Sequence, residues 1–389
     1  MIIDLNGYVE KFGNKTFDEV PFNNVDALVL AELSYVNFSS LAPSINKPNS
    51  RPFYLRNIPL FESSRLAKDE FTTNENIILL TNIKGSLRFR NIGICYVDEA
   101  CCLETEKQFY AFTLILPNKI RYISFRGTDL TLVGWKEDCN MSFLKETPAQ
   151  ECALHYVKKV TSLFDEKFYI GGHSKGGNLS FYSALNIDSP LADRLIYAYS
   201  FDGPGFYDDE LYKTDHYKEI HEKLIKIVPR DSLVGIVLNH TKNALVVDSN
   251  SLSVLQHNPY NWKIDSKTGD FVYLKRRADQ SYVNEKALSN WLGSLSNEER
   301  MMATNTIFEL LGGTSYSLKH LVTNFSQSVN NFFKVSKSYT KEEKEKLYDI
   351  LKRLFYYFNN ARRYYYKQKI RKTIKNLENE VVISKKKEK

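Results

Sequence analysis

The sequence predicts an α/β domain built on a mainly parallel central sheet flanked by helices, with a C-terminal helical extension. Three observations carry this. Apolar runs of strand length alternate with helical stretches through most of the 389-residue chain, the pattern of a largely parallel sheet. Residues 166–186 join a short apolar run, Phe168-Tyr169-Ile170, to a helical stretch across a turn rich in glycine. Beyond about residue 278 the pattern becomes helical only. These changes divide the chain into an α/β domain over 1–278, a helical extension over 279–378 and a basic disordered tail over 379–389.

Taken in order, residues 1–40 read as a polar opening and a helix through Ala27, Leu30 and Ala31, capped by Asn24 or Asp26. Four prolines between 41 and 75 (Pro43, Pro48, Pro52, Pro59) predict loop with short helical pieces. Arg88–Val97 and Gln108–Leu116 read as two strands of a hairpin, and Arg121–Phe125 as a third strand. A helix over 149–164 precedes the strand at Phe168. The next helix carries Leu179, Tyr182 and Leu185 on one face. Strands follow at Leu195–Phe201, Leu224–Val228 and Ala244–Val247. In the extension, Ser296-Asn297-Glu298-Glu299 and Thr340-Lys341-Glu342-Glu343 are capping boxes. The first starts a helix that Gly312 would stop. The second leads an apolar stripe of Leu347, Ile350, Leu351, Leu354, Phe355 and Phe358.

Charge is unevenly spread. The chain carries a net +7, but residues 362–389 hold 11 Lys/Arg against Glu378, Glu380 and Glu388, a local +8, so the remainder sums to −1. Basicity is therefore a property of the tail. Five cysteines form no C-x-x-C pair and no zinc pattern, which predicts reduced thiols and no metal. The opening Met-Ile-Ile-Asp-Leu-Asn-Gly has neither a basic n-region nor an apolar core, so no signal peptide is expected. No stretch approaches the ~18 apolar residues of a spanning helix. The expected location is cytoplasmic, with peripheral contact at a membrane as the further option.

The chemistry centres on Gly172-His173-Ser174-Lys175-Gly176, a G-x-S-x-G pentapeptide. Between a strand and a helix it has the form of a nucleophile elbow, where small residues two before and two after the serine let backbone pass close. A serine hydroxyl needs a base, and the base an orienting acid. Two aspartates follow strands after the elbow, Asp202 and Asp231. The usual acid follows the second such strand, so Asp231 is preferred and Asp202 is the alternative. Of His240, His257 and His320, only His257 falls in the loop after the strand Ala244–Val247, where the base belongs. The oxyanion would be held by two backbone N–H groups. One is that of Lys175, directly after the serine. The other is that of Thr128, after the strand that ends in Phe125-Arg126-Gly127.

Phe125-Arg126-Gly127-Thr128-Asp129, with Gly134-Trp135 and Asp138, resembles the segment before the elbow in the class 3, fungal-type lipases. More of the chain is similar to the bacterial Mbeg-like proteins, a domain of unknown function related to those lipases. The pieces that match are Val25-Asp26-Ala27-Leu28, Leu33-Ser34-Tyr35, the elbow through Asn178, Phe201-Asp202-Gly203-Pro204-Gly205 and Gln256-His257-Asn258-Pro259. The resemblance covers roughly residues 1–275. It implies an α/β-hydrolase fold and carries the triad onto Ser174, Asp231 and His257, without naming a substrate.

The expected function is a serine hydrolase acting on an acyl-ester or lipid substrate, with no cofactor. The alternative is a non-catalytic hydrolase-fold protein that uses its helical extension and basic tail to bind a partner or a membrane surface. Lys175 departs from the apolar or neutral residue usual in lipases. Its side chain would reach solvent or meet an anionic group of the substrate. Residues 203–223 are long enough to form a lid. The basic, tyrosine-rich stretch from Arg362 to Lys389 would be a solvated helix end or a contact with anionic lipid. Nucleic-acid binding is not expected, because no nucleic-acid module is present.

Overall fold

The computed structural model describes residues 1–67, 72–102, 107–128, 140–241, 243–302 and 340–387. At its centre is a nine-stranded sheet. In chain order its strands are β2 (Phe53–Tyr54), β3 (Gly93–Cys102), β4 (Lys107–Ile115), β5 (Arg121–Phe125), β6 (Phe168–His173), β7 (Leu195–Phe201), β8 (Leu224–Pro229), β9 (Ala244–Val247) and β11 (Tyr273–Leu274). Their spatial order is β11-β9-β8-β7-β6-β5-β4-β3-β2. Strands β5 to β9 are parallel neighbours. Strands β2 to β4 continue the sheet antiparallel at one edge, and β11 closes the other. The parallel strands need crossovers, and helices supply them. A separate pair joins β1 (Ile2–Ile3) to β10 (Ile264–Asp265).

Each face of the sheet seals its own core, because successive side chains of a strand point to opposite faces. Tyr122 and Tyr169 join the first core with Leu28 and Leu30 of a helix over Asn24–Glu32, while Ile123, Phe125, Phe168 and Ile170 join the second. The second face is covered by helices Pro148–Thr161 and Lys175–Asn186, the latter burying Leu179, Tyr182 and Leu185. The expected mixed α/β architecture with a largely parallel sheet and flanking helices is thus present.

Four sequence expectations shift. The cap of helix Asn24–Glu32 is Asn23, whose side chain accepts from the N–H groups of Val25 and Asp26. Asp26, at the third helical position, completes a capping box and then turns into the core, where it meets Arg88 and the Tyr8 hydroxyl. Arg88 is therefore no strand residue. It is fully buried, its guanidinium held by Asp26 and by the carbonyls of Thr16 and Val20, and β3 starts only at Gly93. A helix over Thr73–Gly85 is not legible in the sequence, because its polar start Thr-Asn-Glu-Asn hides the buried Leu79, Leu80 and Ile83. Residues 203–223, long enough for a lid, form the crossover from β7 to β8. Phe206 and Ile220 are buried in the second core with Tyr212 packed beside them, so the segment is a wall of the body.

After the last strand of the sheet comes a helix over Asp279–Gly293. Both capping boxes form: Glu299 N–H donates to Ser296 Oγ at 3.1 Å and Glu343 N–H to Thr340 Oγ1 at 3.2 Å. The last helix, Lys341–Lys387, packs against Asp279–Gly293 and buries Leu347 and Ile350. It runs through residue 378 without a break, so the stretch expected as a separate tail continues the helix to Lys387. Gly312 and His320 lie outside the described residues.

Candidate active site

Strand β6 delivers the serine. Ser174 sits between β6 and the helix Lys175–Asn186 with φ 55° and ψ −129°, a region that costs a non-glycine residue of order 1–3 kcal/mol. The turn is tight enough to require glycine on both sides. A Cβ at Gly172 would lie 2.4 Å from the Gly176 carbonyl carbon, and one at Gly176 would lie 2.2 Å from the Phe125 carbonyl oxygen. The turn is tied to β7 by Ser174 N–H donating to Phe201 O at 2.9 Å. The serine is half-buried.

Asp202 follows Phe201 at the same end of the sheet. It too has positive φ, 47°, and it is fully buried. One carboxylate oxygen accepts from Ser232 Oγ at 2.5 Å and Gly235 N–H at 3.1 Å. The other lies 2.7 Å from His257 Nδ1. A carboxylate accepts only, so Nδ1 carries the proton and Nε2 is left as the basic nitrogen.

The preferred acid, Asp231, is not the partner of His257. Its carboxylate accepts from Gln256 Nε2 at 2.7 Å, and its N–H donates to Gln256 Oε1 at 2.9 Å. Gln256 is fully buried, and its carbonyl accepts from Trp262 Nε1 at 2.7 Å. Asp231 thus anchors the residue before His257, and the alternative acid, Asp202, takes the histidine. The two differ physically. Asp202 is desolvated and positioned by two donors on one oxygen, whereas Asp231 stays partly exposed beside Arg230. His240, the other described histidine candidate, faces Glu285 at 3.4 Å.

The residue between glycine and serine in the pentapeptide, His173, braces His257. Its Nε2 lies 2.9 Å from the His257 carbonyl, its ring centroid lies 4.6 Å from that of His257, and its Nδ1 lies 3.0 Å from Tyr35 Oη. A carbonyl can only accept, so Nε2 is protonated. Burial, then the nearby His257, push the His173 pKa well below the usual imidazole value. The neutral ring therefore accepts from the Tyr35 hydroxyl at Nδ1, with the Glu32 carboxylate 3.5 Å from the same nitrogen. Sequence reasoning singled out neither Tyr35 nor His173 as a site residue, though both fall in the matching stretches.

The loop after β5 meets the elbow. A Cβ at Gly127 would lie 2.7 Å from the His173 carbonyl oxygen, which puts Thr128, half-buried, one residue from that contact. The side chain of Lys175 goes neither to solvent nor toward a substrate. It is 1% exposed, and its Nζ donates to the Gln108 carbonyl at 2.9 Å and to Gln108 Oε1 at 3.0 Å. Asn178 holds the loop after Asp202: its Nδ2 donates to Gly205 O at 2.7 Å while its Oδ1 accepts from Gln150 at 2.8 Å. Asp129, Gly134, Trp135 and Asp138 lie outside the described residues. Among the described residues no cluster of three His, Cys, Asp or Glu is suited to hold a metal ion.

Compared with known families, residues 83–309, more than half of the chain, match the Mbeg1-like family model. The chain belongs to the Mbeg1-like family. The match covers β3 through the first helix of the extension, so it begins later and ends later than the resemblance read from the sequence. The elbow, both aspartates and His257 of this Mbeg1-like chain fall inside it, while Tyr35 does not. No curated protein matches the chain.

Proposed function

We propose that this Mbeg1-like protein is a serine hydrolase of the α/β-hydrolase type, cleaving a carboxylic ester of the lipase or esterase class. The observation that carries the reading is the buried Asp202 bonded to His257 Nδ1 at 2.7 Å, at the same sheet end as a serine in strained backbone.

In this mechanism Ser174 Oγ attacks the ester carbonyl carbon and its proton passes to His257 Nε2. Asp202 holds the ring in the productive tautomer and stabilises the imidazolium. The N–H groups of Lys175 and Thr128 receive the oxyanion. Collapse breaks the bond to the leaving alkoxide, which takes the proton from Nε2. Water, deprotonated by the same nitrogen, then releases the acid and restores Ser174. Neutral His173 and Tyr35 keep the His257 backbone in place, and Asp231 does so through Gln256.

The test is labelling of the purified protein by a fluorophosphonate probe. Labelling of wild type that is lost in Ser174→Ala and His257→Ala supports the reading. Absence of labelling in folded wild type, with and without detergent, overturns it.

The last helix exposes Tyr348, Tyr356, Tyr364, Tyr366 and Ile370 among its basic residues, which favours an anionic lipid surface as the source of substrate. Among the described residues no helix is long and apolar enough to cross a membrane. Co-sedimentation with anionic vesicles that disappears at high salt is the expected result. Equal sedimentation with neutral vesicles would exclude this source.

A further inference from the structure

A cavity of about 190 Å³ is lined by Lys226, Gly235, His240, Lys275, Arg276 and Arg277 among others. It is formed where β8 and the loop after it meet the segment leading into Asp279–Gly293. Its wall is basic, and much of that charge already has a partner. Arg277 pairs with Glu285, His240 Nε2 lies 3.4 Å from the same carboxylate, and Arg276 pairs with Asp279 at 2.9 Å.

Two lysines of the wall have no ion-pair partner at contact distance, although Asp202 and Glu285 attract Lys226 from farther away. Among the described residues no carboxylate lies within 4.0 Å of Lys226 Nζ or Lys275 Nζ. Lys275 is exposed at the rim. Lys226 is 3% exposed, and its one hydrogen bond runs to the Gly203 carbonyl at 2.9 Å. An ammonium group has three donors, so two of them remain for whatever enters the cavity. Burial, partly offset by attraction to Asp202, lowers the Lys226 pKa to about 8. A cavity that presents such a group beside fixed guanidinium groups is matched to an oxyanion able to accept several charge-assisted hydrogen bonds.

We propose that this cavity is a binding site for a phosphate-type oxyanion, either free phosphate or the phosphoryl group of a small phosphoester. The site is distinct from the elbow but is linked to Asp202 by hydrogen bonds. Gly235 lines the cavity and donates to the Asp202 oxygen that does not face His257. The carbonyl held by Lys226 belongs to Gly203, directly after Asp202. Binding at this site requires no turnover, so the proposal stands or falls separately from the hydrolase reading.

The test is calorimetric titration and thermal unfolding of the full chain with inorganic phosphate and, in parallel, glycerol 3-phosphate, against chloride at matched ionic strength. Saturable binding at one site and a rise in Tm beyond that given by chloride are expected. Lys275→Ala, at the exposed rim, should fold normally and weaken binding roughly tenfold, the loss of one charged contact. Lys226→Met should abolish binding, because it removes the buried donor of the cavity. Ser174→Ala should bind as wild type. Tighter binding of glycerol 3-phosphate would identify the ligand as a phosphoester, and equal or weaker binding as free phosphate. The proposal is overturned if chloride reproduces the stabilisation, if Lys275→Ala binds as wild type, or if Ser174→Ala abolishes binding.

Discussion

In the α/β body, both faces of the sheet are sealed by apolar side chains, from Leu28 and Tyr122 on one side to Phe125 and Leu179 on the other. In the extension, the clusters of buried apolar residues among those described are small. Val283, Ala287 and Ala361 meet at one point, and Leu295 and Ile350 at another. Between these points, polar contacts join the last helix to residues 279–299. Arg353 pairs with Glu299, Asp279 accepts from Tyr365 at 2.8 Å and pairs with Lys369, and Trp291 Nε1 donates to Ile350 O at 3.0 Å. The body can therefore hold a strained serine and a desolvated aspartate, each of which costs free energy that a large core offsets. The extension rests on half-exposed ion pairs, which contribute little each and weaken with salt. Backbone strain and buried charge belong to the first region, and exposed, adjustable contacts to the second.

The largest expected effect tests the site inside the body. Asp202→Asn should lower turnover of an ester substrate by about 10³–10⁴, or roughly 4–5.5 kcal/mol of barrier. Asp231→Asn should cost about tenfold or less, because it only loosens the anchor of Gln256. Equal losses in kcat for the two variants would remove the distinction between acid and anchor.

Next is the ion pair of Asp26 and Arg88, buried under the first core. Arg88→Met leaves the Asp26 carboxylate without its counter-ion, so chemical denaturation should show a loss of about 3–5 kcal/mol. The loss should fall on the transition of the body. A loss confined to the extension would contradict the division drawn here.

A third outcome concerns pH. The folded-state pKa of His173 lies well below 6.5, so between that value and 6.5 the unfolded chain binds more protons than the folded one. Stability then rises with pH through this window, and falls as pH drops below about 6.5. Thermal unfolding between pH 5 and 7 should show this slope, and His173→Gln should flatten it. An unchanged slope in His173→Gln would assign the effect to other groups.

The smallest effect belongs to the extension. Arg353→Ala should cost about 1 kcal/mol or less, and high salt should erase most of that difference. A salt-independent loss of several kcal/mol would show that this contact behaves like those of the body.

Much of the site was legible because its signals are local. The glycines around Ser174 are spaced for a turn that admits no Cβ. β5, β7 and β9 fall at the residues their apolar runs indicate, and His257 stands in the loop after β9. Ser296 and Thr340 were recognisable as caps because a capping box is closed within four residues of chain.

What sequence could not decide were choices between equivalent residues. Asp202 and Asp231 both follow parallel strands, and only the packing of Ser232 and Gly235 against Asp202 buries that carboxylate and aims it at His257. Arg88 reads as part of a strand until Asp26, far away in sequence, draws it into the core. Lys175 reads as an exposed cation until Gln108 of the neighbouring β4 accepts from its ammonium. Likewise, the cavity around Lys226 combines residues from β8, the loop after it and the entry to Asp279–Gly293. Sequence by itself determined which backbone could turn, cap and alternate, because those properties depend on neighbours a few residues away. Tertiary structure decided which charges became buried and what each of them faces, because that depends on residues brought together only by folding.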